Sequence, residues 1–197
     1  ITGTATDATA SSSHGVNINA GIIRSTEGAI SITGTAADSS ASDFSMSGST
    51  PELGDGTTTA DITINANSVA LGTGSNLQST GDLSFTPRTV STTIGIGNSS
   101  TGTLNLDATE VGYFASGFNL ITIGSASGTG AVDIETAAFT SPTTIQSYGV
   151  GGFVDVDGAL STTGSNALNL YAGQEFELST GGSIAVVDGA LTIRGND

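Results

Sequence analysis

The chain contains no cysteine and no lysine, and its basic side chains are only Arg24, Arg88, Arg194 and His14. The lack of cysteine excludes a disulfide framework, a thiolate metal site and a cysteine nucleophile. The lack of lysine excludes the lysine–asparagine isopeptide crosslink that strengthens some surface adhesins. Opposite these few cations stand 18 acidic residues, which give a net charge of −15. Such a surface repels phosphate groups, so we expect no nucleic-acid partner and no binding to anionic lipid.

Long apolar runs and tryptophan are also missing from the sequence. No stretch has the 18 apolar residues of a membrane span or the pattern of a signal peptide, so we expect no membrane insertion. The apolar fraction of 36% and the mean hydropathy of +0.14 are nevertheless too high for a disordered polar tract. A chain of 197 residues is long enough to fold around one well-buried core.

Phrases of the sequence recur at a nearly constant distance. The pairs are "ITGTATD" (1–7) and "ITGTAAD" (32–38), "DGAL" at 157–160 and 188–191, and "IGIGNSSTGTLNLDATEV" (94–111) and "ITIGSASGTGAVDIETAAF" (121–139). The first two pairs share one offset, and the third pair aligns at a slightly shorter one. Recurrence at a fixed period is typical of repeat architectures. We therefore expect a unit of about 27 to 31 residues, in which equivalent positions stack on one another.

Within each unit the apolar residues fall in pairs separated by one residue, such as Ile62/Ile64 and Leu168/Leu170. A spacing of two is the period of a β-strand, with both apolar residues on one face, and nothing indicates helices. About three such strands per unit predict an all-β parallel β-helix of roughly six or seven rungs. We expect residues 1–197 to form a single β-helix repeat segment, a piece of a longer chain, with an irregular, loop-rich rung at 38–60.

Three stretches have wording that is shared with a known group of proteins. They are "TIGIGNSSTGTLNLDATEV" (93–111), "FNLITIGSASGTGAVDIETAAF" (118–139) and "GVNINAGIIRSTEGAISITGTA" (15–36). This wording resembles the repeat region of very large bacterial surface and secreted proteins of the filamentous-haemagglutinin-like type. The resemblance implies a right-handed β-helix at the bacterial cell surface, hence extracellular, that acts as an adhesin, a filament or a stalk. It carries no family-wide catalytic residues.

Acidic residues near the C-terminus are candidate metal ligands. Asp155 and Asp157 form "DVD", and Asp188 takes the place of Asp157 in the second "DGAL" phrase. Carboxylates stacked about 5 Å apart repel one another, and Ca²⁺, which prefers six to eight oxygen ligands, would relieve the repulsion. The alternative is that these acids are solvated surface groups, since the nonapeptide pattern of Ca²⁺-binding β-rolls does not occur. No other cofactor is expected.

Candidate catalytic groups are few and dispersed. Enzymes built on β-helices use arginine or lysine bases, or aspartates clustered on one face. Here Arg24, Arg88, Arg194 and His14 are scattered one by one along the sequence. We therefore expect no enzymatic activity, and we expect Arg194 to lie where Thr163 stands in the previous repeat.

Aromatic side chains could form a strip that stacks on the sugars of cell-surface glycans, if several faced outward on adjacent rungs. Phe153 and Phe176 occupy positions of the apolar pairs, which favours core packing instead. The seven candidates are Tyr113, Phe114, Phe118, Tyr148, Phe153, Tyr171 and Phe176.

Three functions remain open at the level of the sequence. The first is a non-enzymatic structural or adhesive segment of an exported bacterial surface protein, acting as a stiff spacer or adhesin stalk. The second is a self-assembling extracellular filament or sheath subunit, joined end to end with other copies. The third is a carbohydrate-binding or carbohydrate-active β-helix module.

Overall fold

The computed structural model describes residues 1–6 and 13–195, which are built almost entirely of β-strands. Every pairing between the strands of this part of the chain is parallel. The prediction of an all-β chain with parallel strands is confirmed. Among these residues, none of the helical segments has the length and apolar character needed to span a bilayer.

The largest sheet has eight strands, and every third strand of the chain enters it beside the previous one. In spatial order they are β1 (Thr2–Thr4), β4 (Ile30–Thr35), β7 (Ile62–Asn65), β10 (Asp82–Thr86), β13 (Leu120–Ser125), β16 (Thr143–Ser147), β19 (Leu168–Ala172) and β22 (Leu191–Gly195). We call the stretch from one of these strands to the next a rung. At a strand spacing of about 4.8 Å, eight strands extend over roughly 34 Å.

Between its visits to the large sheet, the chain contributes strands to two further sets of sheets. The first set contains β2 (Val16–Asn19), β5 (Phe44–Ser47) and β8 (Val69–Leu71), and a second sheet of β12 (Leu104–Leu106), β11 (Ile94–Ile96), β14 (Ala131–Ile134), β17 (Phe153–Val156) and β20 (Glu175–Leu178). The other set contains β3 (Ile22–Ile23), β6 (Glu52–Gly54) and β9 (Asn76–Gln78), and a sheet of β15 (Ala137–Phe139), β18 (Ala159–Thr162) and β21 (Ser183–Val186).

The alternation along each strand separates the core from the surface. In the eight-stranded sheet, Ile62, Leu83, Ile121 and Leu168 are at most 1% exposed. The neighbouring residues face outward and form an uncharged polar column of Ser31, Thr63, Ser84, Thr122, Thr144, Asn169 and Thr192. The inward residues of all the sheets join in one hydrophobic cluster, so a continuous core runs along the stack.

The segment 38–60, which the sequence predicts to be an irregular rung, contains β5 and β6. Its side chains Phe44, Met46 and Leu53 are fully buried. The remaining residues form the turns around these two strands. This segment therefore contributes to the core as its neighbours do.

Rung length varies more than the repeats predict. The shortest rung runs from Ile62 to its partner Leu83, and the longest, nearly twice as long, runs from Leu83 to its partner Ile121. The first repeat pair is in register, since Thr2 of one phrase lies opposite Thr33 of the other. The prediction of a nearly constant period is wrong, because loops of different length connect strands that themselves keep one spacing.

The stacking predicted for the other two repeats is also wrong. Leu160 of the first "DGAL" lies in β18 and Leu191 of the second lies in β22, and these strands belong to different sheets. Likewise, Ile96 lies in β11 and Ile123 in β13. The last two rungs are shorter than the distance in sequence between the two "DGAL" phrases. The second phrase therefore lies more than one full rung after the first and falls in a different sheet. The inward face of a strand requires only two aliphatic residues separated by one residue. Similar sequences therefore occur in strands that belong to different sheets.

The longest rung contains an extra strand and the one helix of the described residues. Strand β12 pairs with β11 and contacts β8. It therefore lies between the sheet that ends at β8 and the sheet that contains β11. The chain then forms α1 (Ala108–Val111), where Asp107 is the N-cap and Glu110 completes a capping box. The expectation that helices are absent is wrong at this point. The pattern "DATE" (107–110), an acidic cap three residues before a glutamate, is the signal for the helix.

Glu110 connects this helix to the neighbouring rung. Its Oε1 accepts a hydrogen bond from the backbone N–H of Leu71 at 2.6 Å, and its Oε2 accepts one from Asp107 at 2.9 Å. Burial raises the pKa of Glu110 above its ordinary value of 4.5. The hydrogen bonds from Leu71 and Asp107 lower the pKa in part, and the negative charge of Asp107 raises it further. Leu71 is the last residue of β8, so Glu110 satisfies a backbone group at the edge of that sheet.

Replacing Glu110 with alanine is expected to lower the free energy of unfolding by about 1–3 kcal/mol, because the N–H groups of Leu71 and Asp107 lose their acceptor. A raised pKa in the folded state means that ionisation of Glu110 opposes folding. The stability that the protonated Glu110 side chain contributes is therefore fully present below pH 4.5, and it is lost as the pH rises through the raised pKa of the folded state. Glu110→Gln should accordingly show a flatter pH dependence above pH 4.5 than the wild type.

Urea unfolding followed by far-UV circular dichroism over a pH series measures both effects. The control is Glu27→Ala, since Glu27 is exposed and lies outside the strands. It should change the free energy of unfolding by less than about 0.5 kcal/mol. Equal losses in Glu110→Ala and Glu27→Ala would contradict the structural role of Glu110.

Candidate functional site

Three neighbouring strands carry acidic side chains on their outer surface. Asp133 in β14, Asp155 in β17 and Glu177 in β20 lie opposite one another in the parallel register. Glu135 follows directly after β14, and Asp157 follows directly after β17. We call these five residues the acidic face.

The alternation of the strands places these acids on the outside. In β14, Val132 and Ile134 are at most 1% exposed, so Asp133 between them faces the other way. In β17, Val154 and Val156 are fully buried in the same manner. Because adjacent strands lie about 4.8 Å apart, the acids of successive rungs are close enough to repel one another.

Hydrogen bonds fix part of the acidic face. Asp133 Oδ2 accepts bonds from the backbone N–H of Thr101 at 2.6 Å and from its hydroxyl at 2.8 Å. Asp155 Oδ1 accepts one from the Ser179 hydroxyl at 2.9 Å. Carboxylate oxygens of Asp133, Glu135 and Asp157 lie within 4.8 Å of one another. Asp133 Oδ1 is buried and has no hydrogen-bond partner in the described part of the chain.

The structure brings together two of the three predicted metal ligands. Asp155 and Asp157 belong to the acidic face, whereas Asp188 is exposed in the turn before β22, where its N–H donates to the Gly164 carbonyl at 3.2 Å. Asp188 does not stack on Asp157, because the final rungs are shorter than the offset between the two "DGAL" phrases.

Sequence reasoning missed Asp133 and Glu135 as members of the acidic face. The signal was present in the similar alternation of "AVDIE" (131–135) and "FVDVD" (153–157). In the structure these two stretches are in register, with Ala131 opposite Phe153.

Two of the arginines form ion pairs at different places in the fold. Arg24 Nη1 lies 2.9 Å from Asp55 Oδ2, and Arg88 Nη2 lies 3.1 Å from Asp43 Oδ2. The Arg24 guanidinium, followed by the hydrogen bonds of Thr57, holds the pKa of Asp55 well below its usual range. These arginines therefore serve as partners of single carboxylates.

A cavity of about 380 Å³ lies beside the Arg88–Asp43 pair. The Asp43 carboxylate also accepts hydrogen bonds from the backbone N–H groups of Ala36 and Asn67, both at 2.7 Å. Asp43 thus joins the loops of successive rungs. His14, the remaining candidate base, accepts a hydrogen bond at Nδ1 from the N–H of Ser42 at 3.0 Å. The Asp43 carboxylate and the His14 imidazole therefore both hold loops in place through hydrogen bonds to the backbone.

Arg194 lies opposite Tyr171, with its guanidinium 5.5 Å from the ring centroid. The expected position opposite Thr163 is wrong, because the last rung is shorter than the offset between the repeats. The Tyr171 ring lies 5.8 Å from that of Tyr148, which is 38% exposed. Of the other aromatic candidates, Phe114 and Phe118 are buried. Tyr113 and Phe176 are partly buried and pack against the core. Phe153 lies on the outward face of β17, opposite Ala131 and Glu175, so the expected core packing of Phe153 is wrong.

The last rung leaves its inward apolar side chains exposed. Leu191 and Ile193 are 46% and 41% exposed, whereas their partners Leu168 and Leu170 are fully buried one rung earlier. Strands β20, β21 and β22 each pair on one side only within the described ranges. We call the free side of these three strands the open edge. Unpaired backbone groups beside apolar side chains are what strand addition requires.

Comparisons with family models, curated proteins and solved structures found no match to this chain. The geometry therefore carries the functional argument. Three features of the fold bear on function: the parallel stack of rungs, the acidic face and the open edge.

Proposed function

We propose that the chain is a segment of a right-handed parallel β-solenoid and serves as a non-enzymatic, stiff spacer or adhesin stalk in an exported bacterial surface protein. The observation that carries the proposal is the return of every third strand to the eight-stranded sheet. A chain wound in this way bonds each rung to the next along its whole length, which resists bending. The resemblance to filamentous-haemagglutinin-like repeats supports export and a location on the cell surface.

The surface chemistry supports the same proposal. A net charge of −15 keeps copies of the chain apart and in solution. With only three arginines and no lysine, the chain offers few sites to trypsin-like proteases. Both properties suit a segment that is exposed outside the cell.

A second candidate is a filament subunit that joins other copies end to end. Leu191 and Ile193 would be buried by strands added beside β22, whether these belong to another copy or to a further rung of the same chain. This candidate differs from the spacer in one property, the assembly of isolated chains into fibres.

The stiffness of the spacer can be measured between two spin labels. Because the chain has no cysteine, Ser31→Cys with Thr192→Cys places labels at two unique positions. Both residues belong to the outward polar column, six strand spacings apart, which corresponds to about 29 Å. We expect double electron–electron resonance to give a narrow distance distribution. A broad distribution would contradict a stiff rod.

Deletion of one rung provides the second arm of this test. Removing residues 143–167 joins Pro142 to Leu168, which then takes the position of Thr143. The protein should remain folded by circular dichroism, and the label distance should fall by about 5 Å. The matched control removes 143–154, half a rung, and should unfold because the register is lost. An unchanged distance in the full-rung deletion would overturn the proposal, and fibres of the intact chain in electron micrographs would favour the filament subunit.

A further inference from the structure

Connections of unequal length form a cleft at one corner of the stack. Three consecutive rungs turn here from the eight-stranded sheet to the first set of further sheets, through residues 36–43, 66–68 and 87–93. The middle connection is less than half as long as either neighbour, so a recess is left between the two longer loops. The cavity of about 380 Å³ lies there, and its lining includes residues of all three connections. We call this cavity the corner cleft, and its volume is typical of a small-molecule site.

An ion pair holds the corner cleft in one shape. Arg88 Nη2 lies 3.1 Å from Asp43 Oδ2, and these two residues belong to the two longer connections. The Asp43 side chain is 8% exposed and also accepts the N–H groups of Ala36 and Asn67. Asp43 is therefore bonded to all three connections. The cleft is preformed, so a ligand does not have to order its loops on binding.

The lining keeps hydrogen-bonding groups that the protein does not use. Within the described residues the Arg88 guanidinium makes one hydrogen bond, to Asp43, although it carries several N–H donors. The Ser68 hydroxyl accepts the Asp43 N–H at 2.9 Å, and its own hydrogen has no acceptor in the described part of the chain. The Asp38 carboxylate accepts the N–H of Ser40 at 2.7 Å through one of its two oxygens. The corner cleft therefore offers both donors and acceptors to a ligand.

The composition of the lining selects the class of ligand. Two carboxylates, of Asp38 and Asp43, face one guanidinium, and the whole chain carries a charge of −15, so an anionic ligand is repelled. The lining contains no aromatic ring among the described residues, which disfavours a flat heterocycle that needs a stacking partner. Three alanines add a small apolar surface beside the polar groups: Ala36, Ala37 and Ala41. Hydroxyl groups that donate and accept, next to a face of C–H groups, are the surface of a neutral pyranose sugar.

We propose that the corner cleft binds one neutral hexose unit. Arg88 and Ser68 donate hydrogen bonds to hydroxyl oxygens of the sugar, Asp38 accepts from its hydroxyl groups, and its C–H face lies on the alanines. A free sugar and one unit of a glycan chain present the same chemistry, and the experiment separates these two sources. This site goes beyond the spacer function and does not depend on it.

Titration of the ¹⁵N-labelled full chain, followed by two-dimensional NMR, tests the site. The probes are D-glucose, D-galactose, D-mannose and N-acetyl-D-glucosamine. We expect at least one of them to bind with a Kd of about 1–10 mM, because a ligand of this size makes few contacts. The backbone amide signals of Ala37, Asn67 and Ser68 should shift, while that of Asn169, in β19, should not.

The source of the sugar is decided by a second titration with a disaccharide of the hexose that binds. A Kd at least about tenfold lower than that of the single sugar indicates one unit of a glycan chain, because the second unit adds contacts at the open side of the cleft. An equal Kd indicates a free sugar. Both results support a hexose in the corner cleft.

Matched variants place the sugar on the proposed residues. Arg88→Gln should weaken binding at least about tenfold, because it removes charge-assisted hydrogen bonds. Arg24→Gln breaks the other ion pair, with Asp55, outside the cleft, and should alter the Kd by less than about twofold. Ala37→Leu fills the cleft while Arg88 and Asp43 keep their hydrogen bonds, and it should also abolish binding. This third variant keeps the test decisive if circular dichroism shows that Arg88→Gln is unfolded.

Four results would overturn the proposal. The first is no shift of the cleft signals with any of the four sugars. The second is equal weakening by Arg88→Gln and Arg24→Gln, and the third is unchanged binding by Ala37→Leu. The fourth is binding of D-glucuronate as tight as that of the neutral sugar, which contradicts the selection against anions.

Discussion

Replacing Phe85 with alanine is expected to lower the free energy of unfolding by about 3–5 kcal/mol. Phe85 is fully buried in β10, where it lies between Ile64 and Ile123 of the adjacent strands. Its ring stacks on that of Phe114 at a centroid distance of 5.4 Å. The substitution leaves a cavity that strands fixed by backbone hydrogen bonds cannot close.

The position of Phe85 gives this substitution an effect beyond one rung. It lies in the fourth of the eight strands of the large sheet, with a paired strand on either side. Urea unfolding followed by circular dichroism measures the loss. Ser84→Ala is the control, because Ser84 is the outward neighbour in the same strand and should cost less than about 0.5 kcal/mol. A loss below about 1 kcal/mol for Phe85→Ala would mean that the core can relax around the cavity.

Replacing Gly124 with alanine is expected to cost about 3 kcal/mol or more, from two sources that act together. The φ of Gly124 is +100°, a conformation that L side chains rarely adopt. A Cβ added there would lie 1.9 Å from the carbonyl oxygen of Gln146, its partner in the next rung. The backbone must therefore move, which breaks the pairing of β13 with β16.

Three other glycines separate the two sources. Gly54 repeats the combination, with a φ of +78° and a Cβ position 1.9 Å from the Gln78 carbonyl oxygen, so its alanine variant should cost as much. Gly117 has a φ of +115° but no atom within 4 Å, so Gly117→Ala should cost only about 1–2 kcal/mol. Gly21 has neither constraint, and its alanine variant should be neutral or slightly stabilising. Equal losses at Gly124 and Gly117 would contradict the role of the close backbone contact.

The strands and the core could be predicted from the sequence because both follow from the period of the side chains. Pairs such as Ile62/Ile64 and Leu83/Phe85 indicate which face of a strand is buried, and all four of these side chains are fully buried. Rung length could not be predicted, because a loop of any length satisfies the strands that it joins. The repeats were misleading for the same reason, since aliphatic pairs of similar wording occupy different sheets.

The acidic face was only partly predictable because it depends on register. The pattern "DVD" indicates Asp155 and Asp157, whereas Asp188 follows only from a repeat offset that the last rungs do not have. The similar wording of "AVDIE" and "FVDVD" is visible in the sequence, but only the pairing of β14 with β17 places Asp133 beside Asp155. A single sequence gives the spacing of side chains within one strand. Which residue lies opposite on the adjacent strand depends on the length of every loop between the two strands.

The unequal rungs that begin at Ile62 and at Leu83 show that the strand pairing tolerates connections of different length. In the longest rung the extra residues form β12, which adds a strand between β8 and β11, and the helix α1. The turn at 148–152 carries Val150, which is 92% exposed, and shows where a foreign peptide could be grafted. A peptide inserted in this turn would extend from the side of the stack and leave the paired strands β16 and β17 in register with their neighbours.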